Sequence, residues 1–401
     1  MSVSDYDNKL RLLLSSRFDK LSSPTSISNL KYDLNAGVPD SESLPLEPLR
    51  RAFDEVLSLN PKQALTYDTP NFGFEPLKEA VIEKIAETFK DINSSWVSLV
   101  SGSAHGLDNI AAAFVDEGDV ILVGAPTYPG AIRTFTSRGA KLISVEQDEY
   151  GFSAVGLEAA LTNGAASKLR IKAAYLIPNY DNPSSTLMPL ERRKALIEVA
   201  RRHEILLIED GAYAGIDLSG PPPPSLFQLA RGQGVIYCGT FSKTIATGLR
   251  SGYILAAPTV TKALKFMRFD NASSSLVQQA IHKFYTSDEY PEHLEKIQKI
   301  YRGRRDVVTG ALNKYCKSFV SFSDPEGGFF HWLTLRDGLS ANEIREAAAL
   351  QGVAISAGRG YYLTDHDEQD SRVRIVFSAL DESSLVDAIK LFGKSFKIIS
   401  K

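Results

Sequence analysis

Gly239-Thr240-Phe241-Ser242-Lys243-Thr244 follows directly on Val235-Ile236-Tyr237-Cys238, and Gly248-Leu249-Arg250 comes a few residues later. Four apolar residues closed by a glycine read as a short buried strand. Lys243 then stands at the mouth of that strand between two hydroxyls, with an arginine close behind. An amine so placed can form a Schiff base with a carbonyl, and the hydroxyls and guanidinium can bind a phosphate ester. Taken alone, the hexapeptide also reads as a surface lysine after a turn. The rest of the chain decides between the two.

From about residue 97 to 257, short apolar runs alternate with helical patterns. The predicted strands are Trp96–Val100, Val120–Val123, Leu142–Val145, Ala173–Ile177, Ile205–Ile208, Val235–Cys238 and Tyr253–Ala256. Several are unbroken runs of Val, Ile and Leu, the pattern of strands covered on both faces of a parallel sheet. Leu107, Ile110, Ala111 and Phe114 recur at helical spacing, as do apolar residues within Leu190–His203. This order predicts an α/β fold with helices on both faces of a mostly parallel seven-stranded sheet. Ligands of such sheets bind beyond the carboxyl ends of the strands. A helical region after residue 300, then Phe329–Leu335, a helix over Ala341–Gln351, Arg372–Ser378 and a final helix over Glu382–Phe396 predict a smaller α+β domain. Both chain ends build it: residues 1–49 and 301–401 form the small domain and 50–300 the large one. The Pro221-Pro222-Pro223-Pro224 run reads as a stiff surface loop and spacer.

Composition sets the outer bounds. The chain has 401 residues, 43% hydrophobic and 23% charged, with 45 Lys and Arg against 48 Asp and Glu. The net charge of −3 and the lack of a basic stripe argue against nucleic acid as a partner. No apolar run approaches about 18 residues, so no membrane span is expected. Met1–Asp5 has no basic region leading into an apolar stretch, so no signal peptide is expected and the location is cytoplasmic. Two cysteines, Cys238 and Cys316, cannot make a disulfide framework. The histidines at 105, 203, 282, 293, 331 and 366 keep no metal-ligand spacing with them, so no metal site is expected.

Further candidates stand after other strands. Glu209-Asp210-Gly211-Ala212-Tyr213 follows Ile205–Ile208, and Asp210 precedes Lys243 by 243 − 210 = 33 positions, room for one helix and one strand. A carboxylate there can pair with a protonated pyridine nitrogen and keep the ring an electron acceptor; a helix-capping Asp is the alternative. Tyr213, on the same loop, can donate to a phenolic oxygen. Pro178-Asn179-Tyr180-Asp181-Asn182-Pro183 follows Ala173–Ile177, and the Asn182 amide can donate to the same oxygen, or the Asn-Pro pair can mark a bare turn. Ser101-Gly102-Ser103-Ala104-His105-Gly106 joins a strand to a helix and offers backbone N–H groups to an anion. Tyr128, in Gly124-Ala125-Pro126-Thr127-Tyr128-Pro129-Gly130, can stack on a flat heteroaromatic ring or simply pack in the core. An imine-forming lysine, a dianion cradle and a carboxylate for a ring nitrogen together suit pyridoxal 5'-phosphate.

In family order these segments resemble the class I/II aminotransferases of the pyridoxal-phosphate fold type I, nearest their aminoadipate and aromatic subgroup. The resemblance runs from about residue 34 to 390. It includes Gly37-Val38-Pro39-Asp40, Leu65-Thr66-Tyr67-Asp68-Thr69-Pro70-Asn71-Phe72-Gly73, Pro325-Glu326-Gly327-Gly328-Phe329-Phe330-His331-Trp332 and Arg372-Val373-Arg374-Ile375-Val376-Phe377-Ser378. It implies that Lys243 carries the cofactor and moves the proton, that Asp210 pairs with the pyridine nitrogen, and that Tyr213 and Asn182 contact the ring oxygen. It further implies that Tyr128 stacks on the ring and that Ser103, Ala104, Thr240, Ser242 and Arg250 hold the phosphate. Tyr67 would reach the phosphate of the neighbouring subunit, which makes the protein a homodimer with shared sites. Arg374 would clamp the substrate α-carboxylate, and Gly37 would lie on a loop that closes over it.

The chain departs from the family pattern in several places. Asn182-Pro183-Ser184-Ser185 stands where Asn-Pro-Thr-Gly is frequent, Ala104-His105 where paired glutamines are usual, Gly124 for a glutamate, Lys78 for an arginine and Thr247 for a proline. His105 either faces the substrate or packs under the loop. The implied activity is ping-pong transfer of an amino group between an L-amino acid and a 2-oxo acid. Elimination or replacement, cyclisation of an S-adenosylmethionine-type substrate and oxygen-dependent oxidation are rivals on the same fold. A non-catalytic regulator is a further rival, but only about 30 residues precede the module, too few for a helix-turn-helix domain. For a distal substrate carboxylate the N-terminal Arg17, Lys20 and Lys31 are candidates, against solvated surface charge.

Overall fold

The computed structural model describes residues 10–15, 30–66, 73–85, 91–163, 169–268, 270, 273–363 and 371–399. In chain order its strands are β1 (Tyr32–Asp33), β2 (Val97–Val100), β3 (Val120–Ala125), β4 (Lys141–Asp148), β5 (Gly151–Phe152), β6 (Ile171–Leu176), β7 (Leu206–Asp210), β8 (Val235–Thr240), β9 (Gly252–Leu255), β10 (Val320–Ser321), β11 (Phe330–Leu335), β12 (Val353–Ala354), β13 (Ser356–Ala357) and β14 (Arg372–Val376). β2 to β9 form one sheet in the order β2-β9-β8-β7-β6-β3-β4-β5. Seven of its strands are those expected. The eighth, β5, corrects the count: it is a two-residue antiparallel return of β4, and a Gly-Phe pair carries too little pattern to read as a strand. β2, β3, β4, β6, β7 and β8 share one direction, and β9 runs against β2 and β8.

Side-chain alternation explains why the sheet is covered twice. Leu99, Leu122 and Leu207 enter one core with Phe241 and Phe284, while Val100, Ile121 and Ile208 enter the other with Leu107, Ile110 and Ile236. Successive residues of a strand point to opposite faces, so a strand with helices above and below it must be apolar throughout. β4 breaks that pattern. Lys141, Glu146 and Asp148 are exposed along it, which suits a charged edge strand.

A third core lies beside the sheet. β10-β11-β14-β13 form a second, antiparallel sheet, and β1 pairs in parallel with β12 through Tyr32–Val353 and Asp33–Ala354. The helix Glu382–Ile399 packs Leu385, Ile389, Phe392 and Phe396 against this sheet, all wholly buried. Each large apolar side chain so buried contributes about 1.5–3 kcal/mol. The 27-residue helix Glu289–Tyr315 joins the two parts. Near its start His293 meets the backbone carbonyl of Thr244, beside Lys243, and its second half lies in the third core. Among the described residues no helix is long and apolar enough to cross a membrane.

Candidate active site

Because β2, β3, β6, β7 and β8 are parallel, the segments that follow them meet at one end of the sheet. β9 is reversed, so Arg250, just before its start, comes to the same end. Together they enclose a cleft of about 340 Å3. Gly37, Ser103, Ala104, Tyr128, Asn182, Asp210, Tyr213, Thr240, Ser242, Lys243, Arg250 and Arg374 all line it. Tyr67 lies outside the described residues. A larger cleft of about 1040 Å3 opens between the β4 edge and β10–β11, but it contains none of these groups and no lysine. Chemistry, not size, identifies the smaller one.

Local backbone geometry aims the helix Ser103–Phe114 at the cleft. Gly102 caps it at φ 86°, a conformation open to glycine. At Gly106 a Cβ would come within 2.7 Å of the buried Cys238 Sγ, so the bare glycine lets the helix start sit flush on β8. The first-turn N–H groups, with Ser103 and Ala104, then face the cleft as an anion site. Across from them the Ser242 N–H donates to Thr240 Oγ1 at 3.1 Å, which folds the two hydroxyls inward. Arg250, at φ 46°, donates to the carbonyls of Ser101 and Thr247, each at 3.4 Å.

His105 does not line the cleft. Its Nδ1 accepts the Ser101 N–H at 3.1 Å, and its ring packs beneath the loop. Burial, then the Arg268 guanidinium, pushes its pKa below the usual histidine range. Arg17 and Lys20 lie outside the described residues. Lys31 is exposed, its ammonium 4.7 Å from the Tyr32 ring centre.

Asp210 ends β7 and is 2% exposed. Its Oδ2 accepts from Tyr175 Oη at 2.8 Å and its Oδ1 from the Ala212 N–H at 3.1 Å. Both donors are neutral. Burial therefore dominates and raises the carboxyl to about 6, with the hydrogen bonds and Lys243 acting against it. Among the described residues no ion pair reaches this carboxylate, so it sits at the cleft as a buried acceptor suited to a cation. Sequence reasoning missed Tyr175. It lies mid-strand and reads as core; the available signal is that a buried tyrosine hydroxyl needs a partner.

Lys243 is half-buried, and its Nζ donates to the Gly37 carbonyl at 2.8 Å. Burial, followed by the guanidinium groups of Arg374 and Arg250, lowers its pKa from 10.5 to about 8. The neutral amine is the nucleophile, so it becomes available as pH rises through about 8. In the cofactor-free protein, trace acetylation of Lys243 is expected to climb between pH 7 and 9, ahead of exposed lysines. Peptide mass mapping measures this, and a Lys243 profile that tracks the surface lysines would contradict the lowered value.

Asn182 and Arg374 meet on the other wall. Arg374 Nη1 donates to Asn182 Oδ1 at 2.7 Å and Nη2 to the Asn35 carbonyl at 2.6 Å. The Phe330 and Tyr361 ring centres lie 4.4 and 5.2 Å from its Cζ, and its buried Nε has no partner. Asn182 Nδ2 reaches Tyr213 Oη at 3.4 Å. The loop carrying Asn182 is fixed from behind by Arg193, which is wholly buried. Arg193 donates to the carbonyls of Pro178, Met188, Pro223 and Pro224 and to Asn179 Oδ1, using its planar fork fully. The proline run is thus pinned to the site loop.

These groups fit pyridoxal 5'-phosphate. The cleft offers a reactive amine, a buried carboxylate without a cation, two tyrosines and an anion cradle, in a volume of the size that small ligands fill. The family description "Aminotransferase class I and II" matches residues 30–391. An aromatic-amino-acid aminotransferase of Thermococcus litoralis is 32% identical over 368 residues, 91% of this chain and 87% of that protein. The structure of a kynurenine aminotransferase of Pyrococcus horikoshii, in complex with PMP, superposes with a TM-score of 0.90 at 27% identity, covering 98% of each chain. That of an α-aminoadipate aminotransferase of Thermus thermophilus, complexed with N-(5'-phosphopyridoxyl)-L-leucine, gives 0.86 at 28%, covering 100% of this chain and 99% of the other. A match of this extent to the family, around a cleft with the chemistry the cofactor needs, shows that the chain belongs to the class I and II aminotransferases, which transfer amino groups with pyridoxal 5'-phosphate.

Proposed function

We propose that the chain moves the amino group of an L-amino acid to a 2-oxo acid in two half-reactions at this single cleft. The observation that carries the reading is Asp210, a buried carboxylate held by neutral donors alone, on the cleft it shares with Lys243. When bound, the cofactor supplies a protonated ring that accepts the electron pair left at the substrate Cα. Asp210 holds the proton on the ring nitrogen, and its carboxylate form is favoured once that cation is beside it. Ser103, Ala104, Thr240, Ser242 and Arg250 bind the phosphate. Tyr213 and Asn182 would donate to the ring oxygen, and Tyr128 would hold the ring by stacking. Arg374 would orient the substrate by its α-carboxylate, and the Lys243 amine would take the Cα proton onto Nζ. Gly37 belongs to the segment over the substrate.

The substrate proposal is a long side chain, aromatic in the first instance. The aromatic surface of Phe330, which lines the cleft beside Arg374, supports it, as do the aromatic, kynurenine and aminoadipate activities named for the relatives. We further propose a cytoplasmic homodimer in which Tyr67 of each subunit completes the other's phosphate site. We also propose that the chain divides into a large unit over 50–300 and a small one over 1–49 and 301–401, each boundary lying a few residues earlier in the packing, where Leu49 joins the large sheet and Ile297 the smaller unit.

Two half-reactions imply that the protein, loaded with cofactor and given L-phenylalanine without an acceptor, releases one equivalent of oxo acid and stops. Steady-state lines against 2-oxoglutarate should then be parallel, and intersecting lines would contradict the proposal. Arg374→Ala is expected to raise KM for both substrates by about 10- to 100-fold, the weight of a charge-assisted hydrogen-bond pair. An unchanged KM would remove Arg374 from the substrate site.

A further inference from the structure

We infer that Ser185 is a positioning residue: its hydroxyl clasps the loop of Asn182 to strand β11 and so fixes the aromatic base on which Arg374 rests. The inference depends on Arg374 being the carboxylate-binding residue.

Ser185 is buried and held at φ 58°, a left-handed conformation that a serine adopts at a cost and a glycine does not. Its hydroxyl donates to the Phe330 carbonyl at 2.7 Å. The register of β11 explains why that carbonyl needs a donor. Phe377 N–H donates to the Phe329 carbonyl at 3.0 Å, so by antiparallel alternation the Phe330 carbonyl points to the opposite edge of β11. On that edge β10 pairs with only Thr334 and Leu335. Ser185 fills a gap that no strand covers.

Three cleft residues depend on where Phe330 lies. Its ring centre is 4.4 Å from Arg374 Cζ and 5.3 Å from the Tyr213 ring centre. At Gly37 a Cβ would come within 3.0 Å of its Cε1. Three residues before Ser185, Asn182 accepts from Arg374 itself. The loop therefore grips the Arg374 wall twice, once on the guanidinium and once on the strand beneath it. A glycine at 185 would ease the backbone and lose the second grip.

That opposition makes the test selective. Ser185→Gly removes the hydroxyl and the left-handed strain; Ser185→Ala removes the hydroxyl and keeps the strain. With L-phenylalanine and 2-oxoglutarate and the cofactor-loaded enzyme, both variants are expected to raise KM about three- to tenfold, the effect of one lost buried hydrogen bond, with kcat within about twofold. Ser185→Gly should melt above Ser185→Ala. A merely structural role would make KM follow the melting temperature instead. Wild-type KM in both variants, beside a raised KM in Arg374→Ala, would overturn the clasp. If Arg374→Ala also kept its KM, the carboxylate reading would fail, and the clasp with it.

Discussion

Lys243→Ala is expected to lower amino group transfer by about four orders of magnitude or more, because one side chain serves as both the attachment point and the proton carrier. Among the described residues lining the cleft it is the only amine. The effect should be specific to chemistry. The Lys243 ammonium donates one hydrogen bond, to the Gly37 carbonyl, so its loss should change stability by no more than about 1 kcal/mol. Lys243→Arg should be nearly as inactive, since a guanidinium stays protonated and cannot pass a proton at neutral pH. Single-turnover release of oxo acid measures the loss, with the melting temperature as a check on folding. A variant that keeps more than about one per cent of the wild-type rate would contradict the assignment.

Asp210→Asn should cost about 10²- to 10⁴-fold in the same assay, the weight of a preorganised charge facing charge that develops in the reaction. The substitution keeps the shape: the amide oxygen can still accept from the Ala212 N–H, and the amide NH2 can donate to the Tyr175 hydroxyl in place of the bond it now receives. What disappears is the negative charge. The pH dependence should disappear with it. In the cofactor-free protein burial raises the Asp210 carboxyl to about 6, so below that pH the group takes up a proton and no longer pairs with a ring cation. Cofactor affinity contributed by this pair is present above about pH 6 and is lost as pH falls through it. Binding titrations at pH 5 and 7.5 should differ for the wild type and much less for Asp210→Asn. Equal pH dependence in the two proteins would mean that the carboxylate does not bind the ring.

The parts of the site that the residues reveal without the family resemblance share one property: each stands at or after the end of a strand. Asp210, Asn182, Tyr128, Ser103 and Lys243 are announced by the apolar run before them, and the parallel sheet does the gathering. Arg250 obeys the same rule in reverse, because β9 enters the sheet from the opposite direction. What escapes is set by distant partners. Ser185 acts on Phe330, 145 residues away, and its left-handed backbone leaves no mark in the letters Pro183-Ser184-Ser185-Thr186. Arg374 itself is named by the resemblance, but its bond to the carbonyl of Asn35, across 339 residues, is not legible in the sequence. Tyr175 looks like any core aromatic until β7 places a carboxylate beside it. β5 escaped for a simpler reason, being two residues long.

The most direct measurement is to load the purified protein with pyridoxal 5'-phosphate, reduce it with borohydride and map the modified peptide by mass. Reduction fixes the cofactor to whichever lysine holds it. One equivalent of phosphopyridoxyl group on Lys243, with surface lysines essentially unlabelled, is the expected result. Label spread over other lysines, or no stable label at all, would contradict the placement of the cofactor in this cleft and the amino-transfer chemistry built on it.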